Sequence, residues 1–157
     1  MKKFQLILWN LLLTISLSQA QEPVKQEINW ISFEELNQAL EVDPKPVLLF
    51  FHTEWCGYCK KMLRETFNEP RVIEKVNADY YAVQFDAESV EAVNFDGLTF
   101  HNHSKQKRTG KYHELAKLLL GQPKSYVFPT LLLFNQDFKL KNRQAKCLSI
   151  KEILNIL

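Results

Sequence analysis

The 157-residue chain is long enough for one compact domain, and its composition is that of an ordinary globular protein. Hydrophobic residues make up 46% of it and charged residues 24%, which excludes collagen-like and low-complexity material. Twenty basic residues against eighteen acidic ones leave a formal charge of only +2, so no basic surface for nucleic acid is expected. Three cysteines are too few for a disulfide-stapled scaffold, and their odd number requires an explanation.

The first twenty residues have the pattern of a signal peptide. Two lysines near the start precede a mostly apolar run over 6–17, and residues 18–20 place small side chains at the two positions that a signal peptidase reads. As a helix the apolar run would extend about 18 Å, too short for a hydrocarbon core of roughly 30 Å. Cleavage after Ala20 would remove two lysines and no acidic residue, leaving a formal charge of zero. We therefore expect a bacterial periplasmic or secreted protein with no stable membrane insertion after cleavage; an uncleaved N-terminal anchor is the alternative.

The first half of the mature chain alternates candidate helices and strands. A polar leader over 21–27 is followed by a short candidate strand over 28–30. Ser32 and Glu35 form a capping-box pattern that predicts a helix ending near residue 41. The apolar run 47–51 shows no alternation, which is typical of a strand buried on both faces. A helix over 56–67, a second short helix from Pro70 and a strand over 80–85 are predicted next.

The second half contains an irregular segment and then a regular end. Residues 88–121 are predicted to be an insertion with a turn at 94–97 and a helix over 113–120, closed by Gly121 and Pro123. Further along, the pattern predicts a buried strand over 131–134, a polar edge strand over 139–143, and a last helix opened by the Ser149–Glu152 capping box and running to 157. The order β-α-β-α-(α)-β-α-β-β-α predicts an α/β domain over 28–157 with one mixed sheet and helices on both faces.

The strongest chemical signal is the pair Cys56 and Cys59 at the start of a predicted helix. The unpaired N–H groups and the dipole of a helix N terminus stabilise a thiolate. A thiolate is the attacking species in thiol–disulfide exchange, so Cys56 can attack a substrate disulfide and Cys59 can resolve the mixed disulfide. The second cysteine lies one turn inward and is expected to be the more buried. This mechanism requires the Cys56 sulfur to be open to an incoming disulfide.

Two other interpretations of the pair are weaker. A zinc site uses the same spacing but needs two further ligands, and no second CxxC or HxxxH accompanies the pair. A purely structural disulfide is disfavoured because a four-residue ring constrains the unfolded chain little. We expect a redox-active pair that needs neither a metal nor a cofactor.

The motif Trp55-Cys56-Gly57-Tyr58-Cys59-Lys60, together with Phe128-Pro129-Thr130 ahead of a buried strand, resembles the thioredoxin superfamily. The likeness covers about residues 28–157 and is closest to small exported members whose motif continues Lys-Lys-Met, here up to Met62. The resemblance implies a thioredoxin-like fold with an insertion before the cis-proline strand. It further implies that Cys56 is the nucleophile, that Cys59 is the resolving thiol and that Trp55 shields the disulfide, with Gly57, Tyr58 and Lys60 supporting the site.

By the same resemblance Pro129 is a cis-proline that faces the disulfide. Such a bond turns the backbone of Phe128 outward, where its N–H and C=O can pair with an extended substrate segment. Phe128, Pro129 and Thr130 are therefore the expected substrate-binding residues. Taken alone, Pro129 could equally be an ordinary proline at the start of a strand.

Two positions depart from the thioredoxin pattern. Thioredoxin has a buried Asp six residues before its first cysteine, where this chain has Phe50, which cannot assist proton transfer. Glu54 is the nearest carboxylate, and we consider a water relay through it beside the simpler interpretation of a solvated loop acid. The Gly57-Tyr58 dipeptide also occurs in periplasmic disulfide isomerases, which favours a reductase or isomerase over a strong oxidase.

The remaining candidates carry weaker signals. Cys147 is expected near the rim of the active-site face, either as an additional exchanging thiol or as an inert buried residue. His101 and His103 lie in a polar loop and are expected to be solvated rather than metal ligands.

The sequence thus predicts an exported thiol–disulfide oxidoreductase that reduces protein disulfides. Its expected partners are protein thiols and disulfides and an upstream thiol reductant. We expect a monomer, because the chain has no room for the dimerisation region of an isomerase. The alternatives are a non-catalytic binding or chaperone module of the same fold and a metal-handling relative, which the two-residue cysteine spacing disfavours.

Overall fold

The structure, a computed structural model, describes residues 26–121 and 124–157. Within these ranges the helices are α1 (Phe33–Val42), α2 (Gly57–Arg64), α3 (Pro70–Asp79), α4 (Glu114–Leu120) and α5 (Ile150–Leu154). The strands are β1 (Val47–His52), β2 (Tyr81–Asp86), β3 (Val93–Phe95), β4 (Leu98–Phe100), β5 (Thr130–Phe134) and β6 (Leu140–Gln144). The expected signal peptide, most of the leader and Pro123 lie outside the described residues.

The central sheet determines where the chemistry is located. Its order is β2-β1-β5-β6, with β1 parallel to β2 and antiparallel to β5, and with β6 antiparallel to β5. The register pairs His52 with Asp86 and Phe51 with Thr130. The end of β1, the end of β2 and the beginning of β5 therefore meet at one edge of the sheet. The loop that carries the cysteine pair leaves β1 at this edge.

Strand β1 separates two hydrophobic clusters, because successive side chains point to opposite faces. Leu48 and Phe50 join the cluster that contains both Cys56 and Cys59, together with residues of α2, α3 and α5. Val47, Leu49 and Phe51 join the other, with residues of α1, α4, β3 and β5. All five positions are at least 99% buried, as expected for a strand covered on both faces.

The helices begin where the sequence predicts. Both capping boxes form: the Ser32 hydroxyl accepts from the Glu35 N–H, and Ser149 and Glu152 make the same reciprocal pair. The pKa of the Glu152 carboxyl falls to about 2, mainly because it accepts a hydrogen bond from Lys146 and to a smaller extent because it accepts hydrogen bonds from Ser149. The ends are less well predicted, since α2 ends at Arg64 and α5 at Leu154.

Two predicted features differ from the structure. The strand expected over 28–30 is only an isolated bridge between Trp30 and Ala82, because it pairs with the outer edge of β2 at a single position. The expected turn over 94–97 belongs to a separate hairpin of β3 and β4. Asp96 and Gly97 both have positive φ there, at 51° and 72°, as a tight two-residue hairpin turn requires.

Candidate active site

Cys56 and Cys59 form a disulfide at the N terminus of α2. The S–S distance is 2.00 Å, and the Cα atoms are 5.3 Å apart. Cys56 is the N-cap residue, and its Sγ accepts a hydrogen bond from the Cys59 N–H at 3.0 Å. The first sulfur therefore lies at the positive end of the helix, where a thiolate formed on reduction is stabilised.

The disulfide is less open than the sequence predicts. Cys56 exposes only 4% of its surface and Cys59 only 1%, so the expected order of burial holds but the expected open sulfur is not found in the disulfide form. The residues around the pair are much more exposed, with Trp55 at 52% and Tyr58 at 67%. Gly57 has open space around it, since a Cβ added there would meet no atom within 4 Å.

The turn before β5 borders the disulfide. The Phe128–Pro129 peptide bond is cis, and the Thr130 hydroxyl donates a hydrogen bond to the Val127 carbonyl at 2.7 Å. Phe128 packs against the cluster that contains both cysteines, and its ring meets the Trp55 indole edge-on at 6.2 Å. Within the described part of the chain, no hydrogen bond uses the N–H or C=O of Phe128.

Aromatic side chains from the insertion extend this border. Tyr112 lies between Phe128 and Tyr126, with ring centroids at 5.6 and 4.5 Å. Burial raises the pKa of the Tyr112 hydroxyl, and nearby Glu88 acts in the same direction. Tyr112 of the insertion therefore reaches the turn that contains Pro129.

An ion-pair network connects the insertion to the loop before the cysteines. Lys107 binds Glu54 at 2.6 Å and also contacts the Asp86 carboxylate. Burial alone would lower the pKa of Lys107, but the hydrogen bonds to Asp86 and Glu54 outweigh it and raise the pKa. Glu54 is directed towards Lys107 and is 74% exposed, which favours the simpler interpretation of a rim acid. A proton relay through Glu54 stays a prediction.

Glu88 is a site residue that sequence analysis missed. It is 98% buried, and its carboxylate accepts hydrogen bonds from Trp55 Nε1 at 3.0 Å and from the Gly110 N–H at 2.5 Å. The only signal for it is its position just after β2, which is parallel to β1, so that Glu88 lies where the cysteine loop leaves β1.

His52 lies beneath the site on the same face of β1 as Phe50. Its ring stacks on Phe50 at 5.9 Å, and its Nε2 is 3.2 Å from Gln84 Nε2. Burial lowers the pKa of His52, although the Asp86 carboxylate opposes this shift. His52 thus lies next to Phe50, the buried aromatic side chain that stands where thioredoxin has its acid.

The remaining predicted residues lie at the margin. Cys147 is a partly buried free thiol whose Sγ is 3.8 Å from the Tyr58 carbonyl, so it does border the cysteine loop. Lys60 is exposed on α2. His103 pairs with Glu114 at 2.9 Å, and His101 is exposed. Across residues 26–121 and 124–157, no group of three or more His, Cys, Asp or Glu side chains could hold a metal ion.

A family model described as a thioredoxin-like domain matches residues 33–145. The chain belongs to this thioredoxin-like family. Among curated proteins, the thiol:disulfide interchange protein DsbD of Salmonella typhimurium is 46% identical over 55 residues, and that of Escherichia coli K12 is 40% identical over 60 residues. The alignments cover 34% and 38% of this chain but only 10% of each of those proteins.

Solved structures agree with the family at the level of the fold. The oxidoreductase DsbH has a TM-score of 0.57 at 17% identity, covering 88% of each chain. A thioredoxin from Thermus thermophilus has a TM-score of 0.56 at 16% identity, covering 83% of this chain and 84% of that one. The oxidised C-terminal domain of Neisseria meningitidis DsbD has a TM-score of 0.51 at 18% identity, covering 78% of this chain and 87% of that one.

The predicted thioredoxin-like α/β fold is thus confirmed. Within this thioredoxin-like domain the closed CxxC disulfide lies at a helix N terminus, the arrangement that thiol–disulfide exchange requires. In the described residues, no helix combines the length and the apolar character needed to span a bilayer.

Proposed function

We propose that this thioredoxin-like protein is exported and reduces disulfides in other proteins through Cys56 and Cys59. The observation that carries the proposal is the Cys56–Cys59 disulfide at the start of α2, beside the turn at Phe128. The helix N terminus favours a thiolate on the first cysteine, and the second lies within bonding distance to displace a bound substrate.

The reaction begins with the dithiol form, in which Cys56, only 4% exposed in the disulfide form, must become accessible to the substrate. The Cys56 thiolate attacks one sulfur of a substrate disulfide, a mixed disulfide forms, and the other substrate sulfur leaves and takes up a proton. Cys59 then loses its proton and attacks the Cys56 sulfur. The Cys56–Cys59 bond closes, and the second substrate thiol is released. The protein loses two electrons to the substrate, and an upstream dithiol returns them.

The turn at Phe128, next to the disulfide, is suited to binding an extended polypeptide. The Phe128 N–H and C=O are not used by hydrogen bonds within the described residues, so they are available to pair with a substrate backbone as an added strand. Trp55, Phe128 and Tyr112 place aromatic surface beside that backbone. The curated relatives are named thiol:disulfide interchange proteins, which supports proteins as the exchange partners.

Export is proposed from the signal-peptide pattern of residues 1–20. Its test is the N-terminal sequence of the protein recovered from the periplasm of an expressing bacterium, which is expected to begin at Gln21. Recovery of the protein with its original N terminus in the membrane fraction would instead support an uncleaved anchor.

The activity is tested by insulin reduction with dithiothreitol as the electron donor. We expect the wild-type protein to accelerate insulin precipitation and Cys56→Ser to lose the acceleration. Cys147→Ser is the matched control, since it removes a thiol outside the disulfide, and it should retain the activity. Equal rates for wild type and Cys56→Ser would reject the catalytic function and favour a binding module.

A further inference from the structure

Glu88 is a buried carboxyl group that no step of the proposed reaction uses. It exposes only 2% of its surface and lies just beyond β2, at the sheet edge where the cysteine loop leaves β1. A buried carboxyl group is costly unless its oxygens are hydrogen bonded. Its partners therefore identify the parts of the molecule that this side chain holds together.

The two carboxylate oxygens of Glu88 join segments that are distant in sequence. Oε2 accepts a hydrogen bond from Trp55 Nε1, and Oε1 accepts one from the Gly110 N–H. Trp55 immediately precedes the first cysteine. Gly110 belongs to residues 101–113, which we call the rim loop. One side chain thus contacts both the active-site indole and the rim loop.

The rim loop has further attachments to the same region. The side-chain amide of Asn102 donates to the Ser89 carbonyl at 2.9 Å and to the Lys111 carbonyl at 2.8 Å. Lys107 joins the loop to Glu54 and Asp86. These residues belong to no helix or strand except Asp86 at the end of β2. The rim loop is therefore held by these side-chain contacts together with a backbone hydrogen bond from the His113 N–H to the Ala87 carbonyl at 2.8 Å.

The Trp55 indole connects Glu88 to the turn before β5. Its nitrogen is bound by Glu88, and its ring meets Phe128, which packs against the cluster containing both cysteines. Cys56 is 96% buried although it is the N-cap residue of α2. Trp55 immediately precedes Cys56, so its indole is well placed to affect how a reactant approaches the disulfide.

We propose that Glu88 is a positioning residue of the redox site, which fixes the rim loop and the Trp55 indole as one rigid edge over the disulfide. This edge hinders small thiols and presents a fixed surface to protein substrates. Its loss should accelerate reaction with small thiols and slow reaction with proteins. General loosening of the fold would not produce these opposite effects.

Two rates test the proposal. The first is reduction of the oxidised protein by dithiothreitol, in which two reagent thiols become a cyclic disulfide and the Cys56–Cys59 bond becomes two thiols. The second is single-turnover reduction of insulin by the pre-reduced protein. In Glu88→Ala we expect the first rate to rise and the second to fall by about three- to tenfold each, the size expected for the loss of one typical intramolecular hydrogen bond.

Three further variants complete the design. Glu88→Gln is isosteric but offers one carbonyl oxygen to two N–H donors, so both rates should change in the same directions by less. Asn102→Ala loosens the rim loop without altering the carboxylate and should show the same opposite changes. Glu91→Ala removes an exposed carboxylate of the same charge and should match the wild type. The NMR signal of the Trp55 indole N–H should move upfield in Glu88→Ala.

Unchanged rates in Glu88→Ala, or two rates that change in the same direction, would overturn the proposal. If Glu88→Ala does not fold, as judged by circular dichroism, Glu88→Gln and Asn102→Ala decide by the same criterion. The inference rests on the proposed function only for the insulin rate. If the wild type does not reduce insulin, that function fails, while the dithiothreitol rate and the indole signal still test whether Glu88 positions Trp55.

Discussion

A protein that acts as a reductant should have a larger free energy of unfolding in the disulfide form than in the dithiol form. The size of the ring closed by the Cys56–Cys59 bond sets the magnitude of this difference. Reduction of the Cys56–Cys59 bond frees a loop of about four residues in the unfolded chain. The chain-entropy relation assigns such a ring about 1.9 kcal/mol of stabilisation at 25 °C. We therefore expect the free energy of unfolding to fall on reduction.

The helix N terminus acts in the opposite direction. It stabilises the Cys56 thiolate in the folded dithiol form by about 0.3–1 kcal/mol, and only the ionised fraction of the thiol gains this energy at neutral pH. Within the described residues, this sulfur accepts a hydrogen bond from one backbone donor, the Cys59 N–H. The free energy of unfolding of the oxidised form should therefore exceed that of the reduced form by about 1 kcal/mol. This difference is equivalent to about 20 mV in the two-electron reduction potential.

Urea unfolding of the oxidised and reduced forms measures this difference directly. The slope of the free energy against urea should be the same for both forms, because so small a ring barely changes the surface exposed on unfolding. The Cys56→Ser/Cys59→Ser double variant should unfold identically with and without reductant. A reduced form more stable than the oxidised one would refute this reasoning and would make the protein an oxidant.

Three further expectations concern the scaffold. Phe50→Ala should lower the free energy of unfolding by about 3–5 kcal/mol, because Phe50 is fully buried against Trp30 and Phe67. Calorimetry measures this loss, and a loss of less than about 1 kcal/mol would contradict the prediction. Burial lowers the pKa of His113, so its contribution to the free energy of unfolding should be complete above pH 6.5 and should decline as the pH falls below that value. Urea titrations from pH 7 to 5 should show a weaker loss of stability in His113→Gln than in the wild type. Glu54→Gln should cost at most about 1 kcal/mol, since Glu54 is 74% exposed and Lys107 keeps its second partner Asp86. The cost should shrink in 1 M salt, and a cost that salt does not change would show that packing, not charge, is lost.

The sequence predicted those elements whose signals are local. The unbroken apolar run over 47–51 gave the central strand, and the Ser-x-x-Glu patterns gave the starts of α1 and α5. Both are decided by neighbours within a few residues. The strand expected over 28–30 was wrong because strand composition does not ensure a partner, and β2 accepts only Trp30 there.

The cysteine pair could be predicted from its spacing in the sequence, but the side chains that surround it could not. Glu88 contacts Trp55 and Gly110 across 33 and 22 positions of sequence. Such contacts arise only once the ends of β1 and β2 meet, and no local pattern predicts which oxygen binds which donor. For the same reason the low exposure of Cys56 was missed, because it depends on the cluster that joins both cysteines to residues of α3 and α5.

The open space at Gly57 gives an engineer a place to alter the chemistry without rebuilding the scaffold. A methyl group there would touch nothing, and the neighbouring Tyr58 ring extends into solvent. Both residues between the sulfurs can therefore be exchanged with little steric cost. A small library of substitutions at Gly57 and Tyr58 would therefore vary the reduction potential of the disulfide, while the rest of the fold stays unchanged.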